Sequence, residues 1–213
     1  MCDLVWFHEH ALAESPSWAG VRRSYALSYW VQLGKLYGPA LTALEVTRAQ
    51  KAEGLRRGKE TRSAFRDVAA IDDYLDAVPA TYCLYTELLK MQPELAKSCA
   101  QDALNSVVLS RDYKLAAELI PDAAASVEMK SKQMNLDVRL IKHQPYSRAP
   151  VRWAYVGIYV EEIQKILKIK VGVGEYAEAA RLKSRAIERI ESPSLRREVR
   201  SGFTKRPRVP RVG

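Results

Sequence analysis

Residues Gly174–Pro193 read GEYAEAARLKSRAIERIESP. Wound as a helix, the stretch separates into two sides. Tyr176, Ala179, Ala180, Ala186, Ile187 and Ile190 fall on one, and Glu178, Arg181, Arg185, Glu188 and Arg189 on the other. Alanine forgoes the area that a larger side chain would bury, so its place on the inner side needs a reason. Close approach of a second helix supplies one. The preceding Val151–Val171 offers that helix, with Val156, Tyr159, Val160, Ile163 and Leu167 as its apolar stripe. Gly172 and Gly174 let the chain reverse between the two. A helical hairpin is the unit this stretch predicts.

The same punctuation recurs along the chain. Glycine and proline divide a series of helical patterns, and no segment reads as a strand. Helices are expected at about 17–37, 39–57, 61–77, 80–92, 94–110, 113–120, 122–143, 151–171 and 175–191. A short last helix should open at Pro193. Asp112 and Asp122 are the expected caps of two of them. Residues 144–150, with two prolines and a serine, form the linker candidate. Residues 205–213 (KRPRVPRVG) lack apolar periodicity and should be a disordered basic tail. The fold class is therefore all-α: one helical-repeat-like domain over 1–204, built from antiparallel hairpins or packed as an irregular bundle.

Three fragments carry a family resemblance. Gly174-Glu175-Tyr176, followed by Ala179, Ala186 and Pro193, resembles the second half of a tetratricopeptide repeat. Arg111-Asp112-Tyr113 with Ala116 and Ala123 is similar, with arginine in place of the glycine. Trp30-Val31-Gln32-Leu33-Gly34-Lys35-Leu36-Tyr37 matches the W-x2-L-G-x2-Y pattern of that family's first helix. The turns at Tyr113 and Tyr176 are 63 residues apart, not two whole repeats of ~34. The resemblance implies a short, irregular array whose first helices line a concave groove. Gln101, Asn105, Glu161, Gln164 and Lys168 would point into that groove as candidate partner-binding residues. Arg181 and Arg185, on the charged side of the opening stretch, join them.

Composition narrows the function. The net charge is +9, and residues 181–213 hold eleven Lys/Arg against three Glu. Arg206, Arg208 and Arg211 are the candidate anion-binding residues of that basic end. No apolar run approaches the ~18 residues of a membrane span, and the N-terminus has no basic residues before its short apolar run. The expected setting is cytoplasmic, with no membrane partner. Cys2, Cys83 and Cys99 fit no disulfide or zinc spacing. Cys83 and Cys99 are expected as small core residues.

No motif carries catalysis. G-x-S-x-G, HExxH, P-loop and dinucleotide patterns are missing from the sequence. His8-Glu9-His10, near Cys2 and Asp3, has ligand-type side chains but no second cluster to complete a metal site, and reads as a frayed end. Asp67, Asp72, Asp73 and Asp76 share one predicted helix and read as a solvated face. Eleven tyrosines supply material for a core or an interface. The expectation is a non-catalytic module, without cofactor or metal, that binds a protein partner, acidic ones among the candidates. Adaptors, chaperones and toxin-neutralising immunity proteins are examples. The alternative is nucleic-acid association through the Arg-rich end.

Overall fold

A computed structural model describes residues 2–141 and 148–204, the side chains of 148–150 excepted. Among them every regular element is a helix, so the fold is all-α. The chain divides into two compact units, meeting in sequence at Ser110 and Arg111. The linker candidate at 144–150 is not that boundary. Residues 144–147 lie outside the described part, and 148–150 already belong to a helix.

The first unit runs through α1 (Cys2–Glu14), a 3-10 turn (Pro16–Trp18), α2 (Ala19–Arg23), α3 (Tyr25–Leu36), α4 (Gly38–Arg56), α5 (Arg62–Tyr74), α6 (Val78–Met91) and α7 (Pro93–Leu109). The N-terminal segment, expected to fray, is helical. Leu4 and Val5 of α1 pack on a cluster of Leu27, Trp30, Ala40, Leu44 and Ile71. The helix expected over 17–37 is interrupted at Ser24, whose hydroxyl donates back to Gly20 O at 2.8 Å. Trp30 is fully buried, and its indole N–H donates to Ala40 O at 2.7 Å, fastening α3 to α4. Pro79 and Pro93 sit in the first turns of α6 and α7, where the missing N–H costs nothing. Phe65 meets Tyr85 edge-on beneath them. Cys99 is buried with them, but Cys83 is exposed, contrary to its expected place in the core. Position 83 falls on the outer side of α6, opposite Leu84 and Leu88.

The second unit comprises α8 (Tyr113–Leu119), α9 (Ala123–Ile141), α10 (Arg148–Gly172), α11 (Tyr176–Glu188) and α12 (Pro193–Thr204). Asp112 and Asp122 accept from Leu115 N and Ala125 N at 3.1 and 2.7 Å, as N-caps do. Helix α10 packs against all four others. Its buried stripe is Val156, Tyr159, Val160, Ile163, Ile166 and Ile169. The Tyr159 hydroxyl donates to Ala186 O and shares a hydrogen bond with Ser131 Oγ, both at 2.8 Å. Burial pushes that phenol up to about 12, so it stays protonated.

Small residues do line the α10–α11 contact. Ala179, Leu182, Ala186 and Ile190 are the buried positions of the opening stretch and its end. Tyr176 and Ala180, expected inside, are exposed, because the buried arc is centred near Ala186 and both fall outside it. Gly174 turns the chain at φ +86. Gly172 has a different duty: a Cβ there would lie 2.1 Å from Tyr113 Cγ, so its hydrogen is what lets the α8 ring sit on α10.

Candidate functional site

The residues expected to face a groove are distributed over both units. Gln101 is exposed and Asn105 half-buried on α7. On α10, Glu161 and Lys168 are exposed and Gln164 half-buried, spaced along one face that also presents Trp153 and Ile158. Arg181 and Arg185 on α11 line an open depression of about 650 Å³ with Ala180, Ser184, Glu188 and Arg189. None of the α10 candidates belongs to it. Arg181 pairs with Glu178, while Arg185 and Arg189 share Glu128 at 3.3 and 2.8 Å. Arg206, Arg208 and Arg211 lie outside the described residues.

Of the four aspartates expected on a solvated face, Asp73 and Asp76 are exposed, but Asp67 and Asp72 are among the most enclosed charges of the first unit. Asp67 and Asp72 are each about 1% exposed. Arg22 donates from one nitrogen to both Asp67 oxygens at 2.6 Å, Arg23 Nε adds a third bond at 2.8 Å, and Lys51 Nζ stands 3.3 Å away. Arg22 also donates to His8 O at 2.5 Å, so one carboxylate on α5 ties down α1, α2 and α4. Asp72 receives Arg48 in a two-pronged pair at 2.8 and 2.9 Å and the Thr81 hydroxyl at 2.7 Å, linking α4, α5 and α6. Sequence reasoning missed both, because the cations that justify burial come from other helices. These carboxylates are shut away from solvent and hold helices together.

His8 belongs to the same cluster. Its ring is buried edge-on to Trp30, and neither ring nitrogen has a hydrogen-bond partner among the described residues. Burial, opposed by the Asp67 charge and aided by Arg22, Lys51 and Arg23, lowers its pKa to about 4. His10 points elsewhere, stacked on Trp6, since the segment is helix rather than strand. Among the described residues no group of three or more His, Cys, Asp or Glu side chains is placed to hold a metal ion.

The surface carries a feature that the tyrosine count only hinted at. Tyr25 (69% exposed), Tyr29 (65%), Gln32 and Leu36 (89%) follow one another at spacings of four, three and four along α3. That is one helical face, opposite the buried Leu27, Trp30 and Gly34. In a chain that is 28% charged, the row has no charge at all. The signal was present in the sequence: α3 has apolar positions on both sides, more than one core can use.

Charge separates the units further. Residues 1–110 hold twelve Lys/Arg and thirteen Asp/Glu, and residues 111–213 hold twenty-two and twelve. Among the described residues no helix is long and apolar enough to cross a membrane. No family model, curated protein or solved structure matches this chain.

Proposed function

We propose that this protein is a non-catalytic module that binds a specific protein partner. The observation that carries the reading is the uncharged Tyr25–Tyr29–Gln32–Leu36 face of α3. Exposed tyrosines on a rigid helix bury large areas with few rotatable bonds and keep a polar tip for hydrogen bonding, the residue chemistry of binding hot spots. The helix is held from behind by the buried Trp30, which fastens α3 to α4, so its backbone needs no ordering on binding. A degenerate tetratricopeptide-like arrangement accords with the packing of α3 on α4, α6 on α7 and α10 on α11. Adaptor, chaperone and immunity roles all use such a surface.

The test is recovery of partners from the native extract, with nuclease present throughout. A protein recovered at equal ratio with the wild type and lost with Tyr29→Glu supports the reading. Equal recovery by both removes the α3 face from it. A second reading rests on the charge of residues 111–213, a net of +10. Under it, full-length protein binds RNA or heparin with steep salt dependence, and binding falls on Arg206→Glu and Arg208→Glu.

A further inference from the structure

A different face, on the second unit, specifies its occupant more closely. Every exposed residue of α9 is apolar, cationic or amide. Ala125, Met129, Leu136 and Leu140 form an apolar row over four turns, and Lys132 and Arg139 stand in it. The two acids at its margin are occupied. Glu128 holds Arg185 and Arg189 of α11, and Asp137 accepts from the Gln133 amide at 2.7 Å. Arg139 pairs with Glu191, whereas Lys132 makes no ion pair among the described residues. Two guanidiniums share the one Glu128 carboxylate, which leaves positive charge beside the apolar row. Between these side chains, Ala125, Glu128, Met129, Lys132, Gln133 and Leu136 line an open depression of about 460 Å³ on the surface of this one helix.

We propose that this face is a docking site for an amphipathic helix with acidic flanks, supplied by a partner protein. An apolar knob of that helix fills the depression between Met129 and Leu136. Its carboxylates meet Lys132 and the Arg185–Arg189 pair, replacing part of what Glu128 alone now provides. A second copy of this chain brings net +9 against net +9 and is the wrong sign. An anionic bilayer has the same sign as an acidic helix, and the vesicle experiment below distinguishes the two. The site lies on another unit from the α3 face and stands or falls separately from it.

The probe is a labelled synthetic peptide of about 18 residues, five helical turns, with a leucine row flanked by glutamates. Its controls are the same peptide with lysine for glutamate, and a scramble of identical composition without the row. Binding to the full-length protein is read by fluorescence anisotropy. The acidic amphipathic peptide should bind saturably, each control at least about tenfold more weakly, and Leu136→Glu should cost about tenfold or more. Lys132→Glu, at an exposed position that leaves the fold intact, should weaken the acidic peptide and strengthen the lysine one. Equal binding of the acidic and lysine peptides, no binding of either, or indifference to Leu136→Glu overturns the proposal. So does a dimer mass in light scattering that Leu136→Glu halves, or sedimentation with phosphatidylserine vesicles that the same change abolishes.

Discussion

The two units solve one problem, holding short helices together, with different chemistry. Residues 2–110 use buried ion clusters: Asp67 gathers Arg22, Arg23 and Lys51, and Asp72 gathers Arg48 and Thr81. Residues 111–204 use an aliphatic stripe on α10 and the buried, hydrogen-bonded hydroxyls of Tyr159 and Ser131, and their ion pairs sit at the surface. The first unit is nearly neutral because its twelve cations are balanced by thirteen acids, and it shows uncharged tyrosines to solvent on α3. The second leaves its cations outside. Buried pairs make a unit brittle to the loss of one partner, whereas surface pairs do not.

That contrast breaks most easily at Asp67. Asp67→Ala strands three cations in the interior and should lower stability by about 3–5 kcal/mol. Urea unfolding followed by tryptophan fluorescence measures it, since Trp6, Trp18 and Trp30 all lie in the first unit. A loss below about 1 kcal/mol would mean that water or a shifted side chain replaces the carboxylate.

Acid probes the same cluster through His8. The unfolded imidazole takes up its proton near 6.5, the buried one only near 4. Over that window the unfolded state binds more protons, so stability falls as pH drops and is unaffected by this group above it. The expected loss is about 3 kcal/mol between pH 6.5 and 4, and His8→Leu should remove it from the pH profile. A profile unchanged in His8→Leu would place the imidazole in water.

In the second unit the weak points are steric. Gly172→Ala pushes a methyl into the Tyr113 ring and should cost about 1–3 kcal/mol through overpacking, read as a shift of the thermal midpoint. Arg185→Ala removes a half-exposed contact to Glu128 and should cost less than about 1 kcal/mol. If Arg185→Ala proves more damaging than Asp67→Ala, the division between interior and surface electrostatics is wrong.

What the sequence revealed follows the same division. Helices of the second unit were legible to within a few residues, because Asp112, Asp122, Gly174 and Pro193 punctuate them locally. The small residues of Gly174–Pro193 rightly implied a close neighbour, although the arc was misplaced at Tyr176. Helix α1 was not legible, since its anchors, Arg22 and the Trp30 cluster, are distant in sequence. Burial of Asp67 depends on Arg23, 44 positions away, and no local pattern announces it. Of the candidate partner-binding residues, exposure holds for Gln101, Glu161, Lys168 and Arg181, but the α3 face was hidden in a count of tyrosines. Apolar rows on both sides of one helix were the sign to read.

One measurement bears most directly on the protein-binding role: quantitative recovery from nuclease-treated native extract by wild type and by Tyr29→Glu, side by side. The expected result is one protein retained at a fixed ratio by the wild type and absent from Tyr29→Glu, whose circular dichroism is unchanged. Identical recoveries by the two, or no protein retained once nucleic acid is gone, would contradict it.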